Sequence, residues 1–178
     1  LNTNWYNGIL PDIDANVKIV AGRPFDPVVK SGSLALTNKL TVNSGATLTL
    51  SPGAHMTVNG DVVNSVSGDI IIKNTIDNPA SFLTNGNISQ QVKVEWIYPS
   101  ARYFYIGHCV DGRTFADYLA LATDPYMFKY TGTAWSELTN GAYLFNKELE
   151  GYTVKFNEAT TPSMAMIGAL RSGNYSTA

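Results

Sequence analysis

The sequence has a single cysteine, few charged residues and no long apolar run. Cys109 cannot form a disulfide within the chain, so the hydrophobic core must stabilise the fold alone. Only 15% of the 178 residues are charged, and lysine and arginine never cluster. Nucleic-acid binding is therefore disfavoured, because a phosphate backbone would meet no basic patch. Membrane insertion is equally disfavoured, since no apolar stretch approaches the roughly 20 residues of a spanning helix.

The residues that are abundant are typical of a β-rich extracellular protein. Hydrophobic residues make up 44% of the chain, and much of the remainder is Thr, Ser, Asn and Gly, which favour strands and turns over helices. The chain starts at Leu1 with no charged and apolar leader. From these features we expect a mature or excised part of a protein that is secreted or held at the cell surface.

Residues 40–63 consist of three eight-residue units, LTVNSGAT, LTLSPGAH and MTVNGDVV. Each unit begins with an apolar-Thr-apolar strand and continues into a polar turn, and two of these turns carry a glycine at the same place. Side chains alternate between the two faces of a strand, so Thr41, Thr49 and Thr57 are predicted to point away from the apolar face. Together the units span 24 residues, which fits one turn of a triangular parallel β-solenoid.

Further strand-like segments extend this rhythm over residues 14–90, enough for about three such turns. VKIV, PVV and LAL precede the octads, and DIIIK and SFLTN follow them. The sequence thus predicts an all-β chain in which residues 1–90 form a short parallel β-solenoid (β-helix-like) with an N-terminal cap. A meander of antiparallel hairpins with NSG and SPG loops fits the same pattern.

Aromatic residues concentrate after about Gln90. Six segments in this half have the composition of strands: VKVEWIYP, RYFYIGHCV, YMFKYTG, TAWSEL, GYTVKF and MAMIGAL. They predict a β-sandwich or jelly-roll-like domain over residues 91–178. TFADYLALA, residues 114–122, is the one segment with helical periodicity.

Tyr126, Tyr130 and Trp135 are the candidate ligand-binding residues. Together with Phe128 they surround a Thr-Gly turn, and aromatic residues on one strand face can stack on sugar rings. The other interpretation places the same side chains in the core and rim of the sandwich.

No catalytic residue is predicted, and we expect a protein that is not an enzyme. His108, Cys109 and Asp111 invite a nucleophile hypothesis, but adjacent strand residues point to opposite faces, so His108 is badly placed to activate Cys109. The carboxylates of Glu148, Glu150 and Glu158 lie on loop-like segments, and the sequence does not place any two of them across a cleft.

No cofactor is predicted, with calcium as the alternative. Oxygen donors of the kind calcium prefers occur near turns, but they lack the spacing of known calcium loops. Such residues more often cap their own backbone. The donors considered are Asp12, Asp14, Asn59, Asp61 and Asp69.

The segments NWYNGILPD, NVKI, LTVNSGATLTLSPGAHMTVNGDVVN and SFLTNGNIS resemble the β-solenoid stretches of large secreted surface proteins of Bacteroidota. VKVEWIYPSARYFYIGHCVDG, YMFKYTGTAWSEL and LEGYTVKF are similar in outline to the strand-rich domains that follow such stretches. The resemblance implies export by the type IX system and an adhesive setting at the cell surface. It implies no reaction.

Two functions fit these features. The first is a structural or adhesive surface module that assembles into fibres or tandem arrays through contacts with copies of itself or with neighbouring domains. The alternative is a carbohydrate-binding module of an exported multi-domain protein, with a glycan as its ligand.

Overall fold

The computed structural model describes residues 11–98, 102–121, 125–145, 150–157 and 163–170. Strands dominate this part of the chain. The first ten are β1 (Asn16–Ile19), β2 (Val28–Val29), β3 (Leu34–Thr37), β4 (Lys39–Val42), β5 (Leu48–Leu50), β6 (His55–Val58), β7 (Val62–Asn64), β8 (Ile70–Thr75), β9 (Ser81–Thr84) and β10 (Val92–Ile97).

These ten strands wind into a three-sided parallel β-solenoid of about four turns. One side is the sheet β1-β4-β7, the second contains β2-β5-β8-β10, and the third is β3-β6-β9. Every pairing within these sets is parallel. The solenoid prediction is confirmed, and the antiparallel meander is wrong.

The three octads form the second turn, with β4, β5 and β6 on its three sides. Leu40 pairs with Val62 of the next turn. Val62 still belongs to the third octad, so one full turn is complete slightly before the three octads end. The shared glycines are Gly45 and Gly53, whose φ angles of 79° and 74° lie in the left-handed region that glycine adopts readily. The repeat therefore specifies both the strands and the corners between them.

The apolar positions of the octads fill the solenoid interior. Leu40, Val42, Leu50 and Val58 are fully buried, and their counterparts in the turns above and below stack against them. Thr41, Thr49 and Thr57 are only half-buried and lie on the outward positions of the three sides, as predicted. A turn of this kind buries its apolar face only against a neighbouring turn.

Polar groups in the interior and at the corners join successive turns. The buried Asn74 donates from Nδ2 to the Glu95 carbonyl oxygen at 3.3 Å, and its Oδ1 accepts the Ala80 N–H at 2.8 Å. On another corner, the Asn85 amide donates to Asn59 Oδ1 at 3.3 Å. A buried amide with partners stabilises the stack, whereas one without partners would destabilise it.

The remaining described elements form an antiparallel region. They are β11 (Phe104–Ile106), α1 (Phe115–Leu119), β12 (Tyr126–Tyr130), β13 (Trp135–Glu137), β14 (Tyr152–Lys155) and β15 (Ser163–Gly168). Four of these strands make the antiparallel sheet β11-β14-β12-β13. The all-β class, with a parallel solenoid followed by a strand-rich antiparallel part, is confirmed.

Helix α1 lies within the segment predicted to be helical, and residue 122 of that segment lies outside the described residues. The Asp117 carboxylate accepts the backbone N–H of Thr114 at 2.7 Å, which satisfies one of the N–H groups that a helix start leaves unpaired. The predicted N-terminal cap, residues 1–13, is described only from Pro11 onward.

The two parts are joined through a strand and an aromatic cluster. β15 pairs antiparallel with β10, so the chain leaves the solenoid after its fourth turn and returns to the same sheet. Below that turn, the ring of the buried Tyr98 lies 5.3 Å from Phe156 and 6.3 Å from Tyr118. One apolar core therefore runs from the solenoid into the second part. The division at residues 90 and 91 stays a prediction.

The interior of the second turn should control the stability of the solenoid. Leu50→Ala removes a fully buried side chain, and we expect it to lower the free energy of unfolding by about 2–5 kcal/mol because a cavity remains between three turns. Thr49→Ala, one residue away on the outward position, should cost less than about 1 kcal/mol. Urea unfolding followed by circular dichroism measures both variants, and equal losses would contradict the assignment of the two faces.

Candidate functional site

One face of the antiparallel sheet carries exposed aromatic rings. Strand register places Tyr105, Thr153 and Phe128 side by side on this face, and pairs Tyr130 with Trp135 one step further along. Side chains two residues apart on a strand share a face, so the remaining rings follow from the same register. We call this set the aromatic face, and its members are Tyr103, Tyr105, Tyr126, Phe128, Tyr130 and Trp135.

The three predicted ligand-binding residues all lie on the aromatic face. The exposed fractions are 40% for Tyr126, 45% for Tyr130 and 42% for Trp135. These side chains are therefore not buried in the core, whereas a position at the rim, the other part of the alternative interpretation, fits the same exposure. Their role in binding stays a prediction.

Sequence reasoning missed two members of the aromatic face, Tyr103 and Tyr105. Both are more exposed than the predicted residues, at 51% and 81%. They lie on either side of the buried Phe104. The alternation in YFY was therefore the sequence signal that places the two tyrosines on one face of a strand. The signal did not show that β11 pairs with β14, a strand more than forty residues further along the chain.

The rings of the aromatic face contact one another across the sheet. The ring of Trp135 lies 5.2 Å from that of Tyr130 and 5.8 Å from that of Tyr105, with planes tilted by 53° and 41°. At the other end, Tyr103 lies 6.0 Å from Phe128, and the ammonium group of Lys155 lies 5.6 Å from the Tyr103 ring. Apart from the half-buried Phe128, these aromatic residues are exposed to solvent as well as to one another.

A buried hydroxyl lies beneath the aromatic face. Thr153 is on the outward side of β14, in register with Tyr105 and Phe128, yet it is only 8% exposed. Its Oγ1 has no hydrogen-bond partner among the residues that the structure describes. A buried hydroxyl without a partner costs free energy, so its position needs an explanation.

The inner side of the same sheet holds a polar cluster around Glu150. Lys129 Nζ lies 2.7 Å from Glu150 Oε1, and the hydroxyl groups of Tyr143 and Tyr152 donate to Oε2. Burial acts to raise the pKa of Glu150, but the hydrogen bonds from Lys129 and Tyr152 outweigh it and hold the pKa below its usual value. The hydrogen bond to Glu150 raises the pKa of Lys129 in turn.

His108 lies in an aromatic environment. Its ring stacks on Phe145 at 3.8 Å and meets Tyr118 and Tyr152 edge to face. It follows β11 rather than belonging to a strand, so the opposite-face argument does not apply at His108 and Cys109. Packing in aromatic contacts accounts for the position of His108. Glu148 and Glu158 lie outside the described residues.

Several of the candidate calcium donors accept hydrogen bonds at turns. Asp12 Oδ1 accepts the Asp14 N–H at 3.1 Å, and Asp61 Oδ1 accepts the Asn87 N–H at 3.0 Å. At Asp69, burial raises the pKa of the carboxyl group. Across the described residues, no group of three or more His, Cys, Asp or Glu side chains converges. Calcium binding stays untested.

The single described helix is too short to cross a bilayer.

A family model matches residues 1–177, and the family is described as a domain of unknown function, DUF8693. No curated protein and no solved structure matches the chain significantly.

Because of the polar cluster around Glu150, the stability of the folded chain should fall at acid pH. Glu150 has a lowered pKa in the folded chain, so its contribution is present above the pKa of the unfolded chain and is lost as pH falls through the folded value. Glu150→Gln should therefore cost about 1–3 kcal/mol at pH 7, and the difference from wild type should shrink below about pH 4.

Unfolding midpoints in urea between pH 3 and pH 8 test this expectation. Glu137→Gln removes an exposed carboxylate from the opposite face and serves as the control. A difference between Glu150→Gln and wild type that stays constant across the whole range would contradict it.

The buried hydroxyl of Thr153 predicts a stabilising substitution. Thr153→Val keeps the shape of the side chain and removes a hydroxyl that lacks a partner, so we expect the free energy of unfolding to rise by about 1 kcal/mol. Thr49→Val, at a half-buried outward position of the solenoid, is the matched control and should change stability less. Thermal unfolding by calorimetry measures both, and a clear loss of stability in Thr153→Val would show that the hydroxyl is bonded.

Proposed function

We propose that this chain, which belongs to the family described as a domain of unknown function (DUF8693), is a non-catalytic structural and adhesive module of a secreted bacterial surface protein. The proposal rests on the continuous core of the parallel solenoid. β15 pairs with β10 of this solenoid and so connects it to the part of the chain that contains the aromatic face. Such a stack is a stiff spacer that holds an exposed surface away from its attachment point.

The geometry of the stack supports contacts along its axis. In a solenoid each turn pairs only with its neighbours, so an outermost strand that no further strand pairs with has one edge left for another chain or domain. β9 is the last strand of its side among the described residues, and Leu83 on it is 61% exposed. Such an edge supports the proposed homotypic or neighbouring-domain contacts, and hence fibres or tandem arrays.

The proposed setting rests on the sequence. The low charge, the excess of strand and turn residues and the resemblance to surface proteins of Bacteroidota support export, by the type IX route, to the cell surface. The proposal includes no membrane insertion, no nucleic-acid partner, no cofactor and no reaction.

A second candidate function is that of a carbohydrate-binding module within an exported multi-domain protein. The exposure of Tyr126, Tyr130 and Trp135 favours it, because buried rings have no surface to offer a sugar. The two functions are compatible, since a spacer can carry a binding surface.

Assembly at the β9 edge is the test of the structural proposal. Light scattering and negative-stain electron microscopy of the purified chain should show end-to-end particles whose length grows with concentration. Leu83→Lys places a charge on the edge strand and should abolish the growth, because edge charges prevent strand pairing between chains. A chain that stays monomeric at every concentration would overturn the assembly proposal.

The control is Val63→Lys. Val63 is also an exposed apolar residue, at 47%, but it lies on β7, and the neighbouring Val62 already pairs with Ile88 of the following turn. Growth should persist in this variant. Equal loss in both variants would show that surface hydrophobicity, and not the strand edge, causes assembly.

A further inference from the structure

We propose that the aromatic face binds a neutral glycan chain, with Trp135, Tyr130 and Tyr105 as the stacking platform and the Thr153 hydroxyl as a polar contact beneath it. This inference rests on the proposed adhesive function and deepens it by naming the class of partner and the residues that bind it.

The form of the rings suits a flat ligand with an apolar face. Tilted ring pairs also occur in the core, as in Phe145 and Tyr152 with planes at 85°, so exposure and not tilt distinguishes the aromatic face. Tyr105 is 81% exposed and Tyr103 is 51% exposed, whereas the core rings are buried. Exposed rings leave surface on which the apolar side of a pyranose can stack.

The charges on this face favour a neutral ligand. Register places Lys155 opposite Tyr126 and Glu137 opposite Phe128, so among the described residues the strands give this face one positive and one negative side chain. Opposite charges of equal number give no net attraction for an anionic polymer. Both groups are, however, hydrogen-bonding partners for the hydroxyl groups of a sugar.

Thr153 is an independent indication that a polar ligand enters here. The residue is more than nine-tenths buried and lies between the register positions of Tyr105 and Phe128, and its hydroxyl has no partner among the described residues. An apolar protein partner on this face would leave the hydroxyl unsatisfied. Because the Oγ1 atom is buried in the unbound chain, a sugar hydroxyl would supply the missing hydrogen bond once the side chains that cover it turn aside.

Affinity electrophoresis tests the proposal with probes of known chemistry. The neutral probes are soluble xyloglucan, galactomannan, glucomannan and mixed-linkage β-glucan, and heparin and alginate are the anionic comparators. Wild type should be retarded by at least one neutral polysaccharide and by neither anionic one. Trp135→Ala and Tyr105→Ala should each weaken binding about tenfold or more, as expected for aromatic anchors at the centre of a site.

Phe25→Ala is the matched control. Phe25 is 87% exposed on a solenoid corner, so it is an equally accessible ring away from the aromatic face, and its loss should leave binding unchanged. Thr153→Val separates a binding role from a structural one, since we expect it to weaken binding several-fold while the fold becomes no less stable. Circular dichroism confirms that each variant is folded.

Three results would overturn the inference. These are no retardation of wild type by any neutral polysaccharide, retardation by the anionic probes alone, and equal loss in Phe25→Ala and Trp135→Ala. If Trp135→Ala abolishes end-to-end assembly while wild type binds no polysaccharide, the aromatic face belongs to a contact between copies, and the inference also fails.

The two proposals fail separately. If the chain assembles but binds no glycan, only the glycan-binding inference is wrong. If the chain binds a glycan but never assembles, the structural proposal is wrong and the glycan-binding inference holds.

Discussion

The whole structure depends on the burial of short apolar strands between neighbouring solenoid turns. A strand such as β5 contributes only Leu48 and Leu50 to the interior, which is far too little to fold alone. Parallel pairing places Leu48 beside Ile70 and Leu50 beside Ile72 of the next turn, so apolar side chains form continuous columns through the stack. The corners must then repeat in register as well, and the left-handed glycines and paired asparagines meet that requirement.

A stack of this kind needs an end, and the antiparallel part supplies one. β15 adds to β10 with reversed direction, which ends the parallel winding on that side. Tyr98 carries the core across the junction to Phe156 and Tyr118. Strand pairing and buried rings therefore join the second part directly to the solenoid.

The sheet β11-β14-β12-β13 distributes its polar and aromatic groups in an unusual way. Its inner side holds a lysine, a glutamate and two tyrosine hydroxyls in mutual contact, and its outer side holds most of the exposed rings. The inner cluster is stable because each charge is paired and hydrogen-bonded. The outer rings are exposed, apart from the half-buried Phe128, and a buried hydroxyl lies beneath them. This combination is the reason why we propose the outer side as the binding surface.

The sequence by itself determined the local elements. The octads predicted β4, β5 and β6, the segments after Gln90 predicted β10 to β15, and TFADYLALA contained α1, because alternation and turn residues are local properties. Parallel stacking was preferred over hairpins only from the regularity of the repeat. Tertiary structure decided which strands pair, and with it which side of β12 and β11 meets solvent, because those facts depend on partners far away in the chain. The sequence pattern identified Tyr126, Tyr130 and Trp135. Tyr105 and Thr153 can be placed beside them only from the strand order, in which β14 lies between β11 and β12.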